Sequence, residues 1–391
     1  MRNKKTRALV ASLIINLCVG SIYAWSVFAG PLSQTFGWSA SATALTFTIA
    51  NAVGPITMII GGRLQDIYGP KWVVFAGAFL FGGGMFASGF VESVSMMYVT
   101  YGLCMGFGLG TIYTCTIANT VKLFPERKGL ISGATTCVYG LATVVAAPLA
   151  QKLIVLYGVS VAFKILGVAY FAVVAICSQF LIKAEVGEPD EGAGSEDKTW
   201  KQMLAQPQFY VLLIMLMFGA TSGLMIIGQA SIMAQEIVKV SAATAAAGVG
   251  IIAVANALGR VVLGRISDKT GRYPALIGMF AVLAASMMAL TRVGEGQWIM
   301  FLALVMAAGF CFGGFMGIFP ALTAEKFGIR NNGVNYGFMF IGFAAGGYIG
   351  PKLATALKMT PLGLYSMAFL IAAVMAAAGI VVAVVLSLRE R

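Results

Sequence analysis

The chain contains no histidine, carries only 14 Asp and Glu against 26 Lys and Arg, and shows no paired spacing among its six cysteines. Without histidine, the commonest general base and metal ligand is missing. Cys18, Cys104, Cys115, Cys137, Cys177 and Cys311 all fall in apolar stretches. A thiol there is a small packing group, so neither a disulfide nor a metal site is expected. Every acid lies in a loop or at the end of an apolar stretch, so none is placed inside one as acid, base or counter-ion. No nucleophile–base set or cofactor motif stands out, so enzymatic chemistry is not expected and no cofactor is implied.

What the chain has in quantity is apolar length. It is 59% hydrophobic and 10% charged over 391 residues, with a mean hydropathy of +0.90. Repeated apolar runs of about 20 residues mark helices that cross a bilayer. Twelve are expected, near 8–29, 43–62, 71–91, 96–121, 129–151, 161–182, 207–235, 241–263, 273–291, 297–322, 333–356 and 362–387. The fold class is therefore an all-α membrane protein of twelve transmembrane helices, with the lipid bilayer as its surroundings. The basic start, Met1-Arg-Asn-Lys-Lys-Thr-Arg7, resembles the first region of a signal peptide. A run of full membrane length and eleven further spans favour an uncleaved first helix.

The formal charge of +12 does not point to nucleic acid, because of how it is distributed. With alternating spans, most Lys and Arg fall on one side, among them Arg2, Lys4, Lys5, Arg7, Arg63, Lys122, Arg127, Lys128, Arg265 and Lys269. By the positive-inside rule that side is cytoplasmic, and both termini lie there. The long polar segment 183–206, rich in acids and Gly with little to bury, reads as a flexible cytoplasmic linker. It separates two six-helix bundles, 1–182 and 207–391.

The bundles echo each other. Gly62-Arg-Leu-Gln-Asp66-Ile-Tyr-Gly69 follows span 2, and Gly264-Arg-Ile-Ser-Asp268-Lys-Thr-Gly271-Arg272 follows span 8, at an offset of 202 residues. Gly102, Gly106 and Gly110 in span 4 match Gly309, Gly313 and Gly317 in span 10. A glycine at every fourth position lets two helix backbones approach closely. Pro148 and Pro351 form a further pair. Such repeats indicate a 6+6 pseudo-symmetric transporter with its site near the midplane between the bundles.

Arg260 is the charged residue that falls inside a span. A guanidinium stays protonated, and holding it in a bilayer costs roughly 2.5–3.5 kcal/mol on insertion scales unless compensated. It lies five residues from Arg265, about 7.5 Å along a helix, so snorkelling to the surface is one reading. Asn256, one turn deeper on the same face, favours another. So does the repeat, whose equivalent position holds Met58. With no carboxylate placed to pair with it, Arg260 is expected to bind a small organic anion, gripping a carboxylate through two parallel hydrogen bonds.

The doubled Gly-Arg-x-x-Asp turn resembles the loop motif of the major facilitator superfamily. More narrowly the chain looks like its oxalate/formate antiporter family, which includes bacterial monocarboxylate carriers. The residues that carry this likeness are Tyr23-Ala-Trp25, the loop Leu123 to Gly133, Ser267 to Tyr273, and Asn335-Tyr-Gly-Phe338. The resemblance implies alternating access in the inner membrane of a prokaryote, by a carrier working as a monomer. It also implies that Tyr113 and Tyr139 match family tyrosines, and that Phe343 stands where the oxalate carrier has a second, lysine cation. Animal monocarboxylate carriers have Asp-x-x-x-Arg where this chain has Asn256-x-x-x-Arg260. A dianion on one arginine would leave about one buried charge unpaired, at several kcal/mol. The expected cargo is thus a monocarboxylate such as lactate, pyruvate, acetate or formate, with proton symport favoured over anion exchange. Tyr23, Phe312 and Phe315 are further candidate pocket residues, and Asn51 is a polar one explained equally well by an interhelical bond. Arg63, Asp66, Arg265, Asp268 and Arg272 are expected to gate the cytoplasmic side, each carboxylate capping the following helix and pairing across to the other bundle. A membrane sensor that binds the anion without moving it is the alternative of another class.

Overall fold

The computed structural model describes residues 2–184, 197–361 and 363–389, which are almost wholly helical. The long helices are α1 (Asn3–Phe36), α2 (Ser41–Tyr68), α3 (Pro70–Phe90), α4 (Val94–Leu123), α5 (Lys128–Tyr157), α6 (Val159–Ser178), α7 (Pro207–Val238), α8 (Ala242–Thr270), α9 (Arg272–Leu290), α10 (Trp298–Phe327), α11 (Asn332–Ala356) and α12 (Ser366–Arg389). Among the described residues, 11 helices are long and apolar enough to cross a membrane. The remaining long helix is α11, at 25 residues, where Asn332, Asn335, Lys352 and several glycines dilute the apolar run. The protein is a multi-pass membrane protein of the expected class.

Several helices outrun the apolar runs that announce them. The run near 43–62 becomes a helix to Tyr68, and the run near 241–263 becomes one to Thr270. The motif aspartates therefore sit in the last turns of α2 and α8. Helical geometry continues through these polar residues until a glycine ends it. Gly69 at φ 84° and Gly271 at φ 92° adopt a conformation that side-chain-bearing residues avoid. Pro70 then starts α3 at a position where its missing N–H is harmless. Elsewhere α1 is interrupted by a 3₁₀ segment, Gly20–Ala24, and α7 closes in a π turn, Ala234–Val238.

The chain divides into two compact units. The first comprises Met1–Pro125, Val138–Trp200 and Thr323–Phe338. Within it, α3 and α6 cross at Gly82 and Gly167, where a methyl on either would come within 2.8 Å of the other's carbonyl oxygen. The second comprises Glu126–Cys137, Lys201–Leu322 and Met339–Arg391. Here the α10 glycine stripe lies against α8: a methyl at Gly309 would meet Ile252, one at Gly313 the Asn256 carbonyl, and one at Gly317 the Arg260 carbonyl. The four-residue spacing thus seats α8 with one contact per turn. Also in this unit, Glu236 accepts hydrogen bonds from Lys358 Nζ (2.5 Å) and Tyr365 Oη (2.6 Å). These tie the short hairpin β1 (Met359–Thr360) and β2 (Gly363–Leu364) to the end of α7.

The segment expected to be a flexible linker is partly docked; 185–196 lies outside the described residues. Lys183 Nζ bonds the Ile67 carbonyl (2.8 Å). Asp197 Oδ1 accepts from Arg330 N (2.9 Å), and the Lys198 carbonyl accepts from both Asn331 and Asn335. Trp200 opens a short helix, Trp200–Leu204, and stacks on Phe338. Charge and glycine content hid these anchors, because each hydrogen bond joins a side chain to a backbone group distant in sequence, and one aromatic ring adds to them.

Replacing Gly313 by Ala should overpack the α8–α10 seam and destabilise the purified protein by about 1–3 kcal/mol. Gly278→Ala, on an open face of α9, should be neutral or slightly stabilising, since alanine is the better helix former. Thermal unfolding in detergent compares the two; equal midpoints would remove the seam's role.

Candidate functional site

Arg260 lies in the middle of α8 and is 7% exposed. Two close approaches bury its backbone: a methyl at Gly133 of α5 or at Gly317 of α10 would overlap the Arg260 carbonyl. Both glycines belong to the same compact unit as Arg260. The side chain turns toward its own unit instead of the surface. Its Nε donates to Asn256 Oδ1 (3.2 Å) and its Nη1 donates to the Thr136 carbonyl (2.5 Å). Asn256 in turn donates from Nδ2 to the Gly309 carbonyl (3.1 Å), so the amide is held with its oxygen toward the guanidinium.

These partners orient the cation without neutralising it. Asn256 and the Thr136 carbonyl are dipoles, and among the described residues no carboxylate pairs with Arg260. Nη1 and Nε are engaged, whereas Nη2 makes no hydrogen bond to a described residue. The arrangement can offer a fixed positive charge and a directed N–H donor to an anion. Acid–base chemistry is outside its reach, because arginine keeps its proton.

The other candidates fall into separate groups. In the first unit, Tyr139 packs edge-on against Tyr23, with ring centroids 5.5 Å apart, and at a tilt against Tyr113 at 4.6 Å. The 3₁₀ break in α1 carries Tyr23, which is 39% exposed, while Tyr113 and Tyr139 are buried. In the second unit, Phe343 stacks on Phe340 (4.4 Å) and lies parallel to Phe312 (6.2 Å). Phe315 is buried elsewhere, against Phe280 and Phe319, with a methyl at Gly219 excluded by its ring. Asn51 is exposed, and its amide bonds the Phe47 carbonyl of its own helix (2.8 Å), with no interhelical bond to a described residue.

The motif aspartates cap helices, but not those that follow them. Asp66 accepts from Gly333 N (3.2 Å) and Val334 N (3.0 Å), at the start of α11, and from Lys122 Nζ (2.6 Å). Asp268 accepts from Gly129 N and Leu130 N (2.8 Å each), at the start of α5, and from Arg272 Nη2 (2.8 Å). Each carboxylate thus satisfies free N–H groups at the positive end of a helix dipole. Backbone proximity makes this possible: Gly62 faces Gly333 and Gly264 faces Gly129, with no room for a methyl at any of the four. Arg63 and Arg265 are exposed, and neither makes an ion pair with a described residue. The sequence pattern placed these arginines beside the aspartates, but i and i+3 neighbours on a helix can diverge when the acid turns to another helix. Lys122 and the Thr136 carbonyl are site elements that the pattern did not single out. Lys122 carried one signal, a cation at the end of span 4; a backbone carbonyl carries none.

The described cysteines are all unpaired, and no cluster that could hold a metal is found among the described residues.

Comparison with known proteins gives a consistent picture. The family model described as Major Facilitator Superfamily matches residues 9–351 and 230–391. The uncharacterized MFS-type transporter YhjX of Escherichia coli (strain K12) is 32% identical over 348 residues, covering 86% of this chain and 84% of its own. The oxalate:formate antiporter of Oxalobacter formigenes is 29% identical over 373 residues, covering 94% and 87%. Among solved structures, the transporter FucP in the outward conformation superposes with a TM-score of 0.77 over 97% of each chain, at 16% identity. That last likeness concerns the fold alone.

Asp268→Asn should weaken the cap on α5, since a hydrogen bond to a charged group contributes about 1.5–3 kcal/mol. Hydrogen–deuterium exchange at Gly129 and Leu130 should accelerate in Asp268→Asn and stay unchanged in Arg265→Gln. Equal behaviour of the two variants would contradict the capping geometry.

Proposed function

Since the chain belongs to the Major Facilitator Superfamily, we propose that this transporter carries small monocarboxylate anions, of the lactate, pyruvate, acetate or formate class, by alternating access with a proton. The observation that carries the reading is Arg260, a buried cation held by two neutral acceptors and paired with no carboxylate among the described residues. An intramembrane ionisable residue is functional by default. One anionic cargo supplies the missing charge, and Nη2 supplies a donor for it. Family relatives include a carrier of oxalate and formate, which supports small carboxylates as the substrate class.

Charge balance selects within that class. At the position where the resemblance puts a second cation, Phe343 stacks with Phe340 and Phe312. A monoanion matches a single guanidinium, whereas a dianion carries a surplus charge whose desolvation costs several kcal/mol. Tyr113, Tyr139 and Tyr23 provide aromatic surface and phenol donors in the proportions usual for small-ligand pockets.

Both termini are cytoplasmic in this proposal, and the bundles 1–182 and 207–391 move as the alternating bodies. The caps at Asp66 and Asp268 close the cytoplasmic side and release when it opens. The proton travels on the cargo or through a gate carboxylate, because the chain has no histidine.

Purified protein in liposomes, given labelled lactate, formate or oxalate, tests this. An inward proton gradient should accelerate uptake of a monocarboxylate with no internal anion present. Uptake only against preloaded anion would replace symport with exchange, and saturable oxalate transport would overturn the charge-balance argument. Arg260→Lys keeps the charge but loses the planar fork, and should lower uptake at least about tenfold, given the strength of charge-assisted hydrogen bonds. Wild-type uptake in that variant would remove Arg260 from cargo binding.

A further inference from the structure

A groove of about 460 Å³ runs between the first turns of α1 and the end of α6. Asn3, Thr6, Arg7, Val10, Ala11 and Ile14 line it from α1, and Cys177 and Phe180 from the other side. Asn3, Arg7, Val10 and Ile14 are spaced to share one helix face. From Arg7 to Ile14 the stripe covers about 10 Å of helix axis. Val10, Ile14 and Phe180 are 48%, 40% and 50% exposed, so the groove has an apolar body open to its surroundings and a cation at its head. Arg7 is exposed and makes no ion pair with a described residue.

The local charge is unusual for a helix start. Lys4, Lys5 and Arg7 crowd the first two turns of α1, and the sequence has no acid before Asp66. A helix N-terminus is the positive end of its dipole and is stabilised by carboxylates, not by cations. Three cations there are therefore repelled by the helix dipole and lack a partner nearby in sequence. The positive-inside rule accounts for their sign. It does not account for one of them standing at the head of an apolar groove aligned along the same face.

We propose that this groove binds one phospholipid with an anionic headgroup. The headgroup phosphate pairs with Arg7 and takes a hydrogen bond from the Asn3 amide, while an acyl chain lies along Val10, Ala11, Ile14 and Phe180. Charge complementarity selects the occupant: with the N-terminus cytoplasmic, the groove opens to the leaflet whose surface is negative, and each Lys or Arg near it is attracted to that surface. The inference rests on that proposed orientation and is independent of cargo or coupling, so its failure leaves the transport reading untouched.

Native mass spectrometry of the purified full-length protein with equimolar phosphatidylglycerol and phosphatidylcholine of identical acyl chains tests it. The wild type should retain one phosphatidylglycerol in preference to phosphatidylcholine. Arg7→Gln should lower that preference about fivefold, the effect expected of one cation at a membrane surface, and Arg7→Lys should keep most of it. Lys5→Gln changes a side chain well round the helix from Arg7 and should leave the preference intact. Ile14→Trp, which fills the groove, should reduce retention of both lipids. Equal losses in Lys5→Gln and Arg7→Gln would mean diffuse surface charge and no site. Equal uptake of both lipids by the wild type would end the proposal without any variant.

Discussion

A permanent positive charge inside a membrane helix, with no carboxylate among the described residues to meet it, is the constraint around which the second unit is organised. Arg260 cannot relieve the strain by losing its proton. The structure answers with geometry: Asn256 and the Thr136 carbonyl take two of its donors, and the Asn256 amide is itself fixed by Gly309. Dipoles of this kind hold a guanidinium in place but leave its net charge intact. The surrounding glycines serve the same end. Gly133 and Gly317 bring α5 and α10 onto the Arg260 backbone, so the side chain starts from a rigid point.

The same device recurs at the motif turns, with the charge reversed. Asp66 and Asp268 are carboxylates directed at helix N-termini, each seated by a pair of glycines that let the backbones touch. In both cases a buried charge is oriented by main-chain groups and a glycine contact. The repeat that relates them is also where they part. Met58 takes the place of Arg260 in the first half of the sequence, and Gly337 packs there on the backbone of Met58 and Ile59 as Gly133 packs on Arg260. The scaffold is shared, and the cation is an addition to one copy. Under the proposed function, that added cation is where the cargo binds on an otherwise symmetric frame.

Helix number, the repeat, the four-residue glycine stripes and the isolation of Arg260 were all legible in the sequence. Each is a one-dimensional property: apolar run length, a fixed offset, a spacing, or the absence of acids from a span. The expected role of the glycine stripes followed from spacing alone, because a helix face repeats every three to four residues. The aspartates' partners were not legible in the same way. Arg63 and Arg265 are near in sequence, yet the acids turn to α11 and α5 and pair with Lys122 and Arg272. Phe312 and Phe315 lie three residues apart, yet one faces Phe343 and the other the Phe280 packing.

The sequence by itself determined that this is a twelve-helix membrane protein with a doubled motif and an arginine in a span that holds no acid, because hydrophobic length and charge scarcity need no partner to be read. Only the tertiary structure decided what that arginine touches, which helix each aspartate caps, and that Trp200 and Lys198 anchor the segment expected to float. The Thr136, Asp66, Asp268 and Lys198 contacts depend on backbone N–H and C=O groups, which every residue carries alike and which no residue letter distinguishes, and the Trp200 ring meets Phe338 only once the chain has folded.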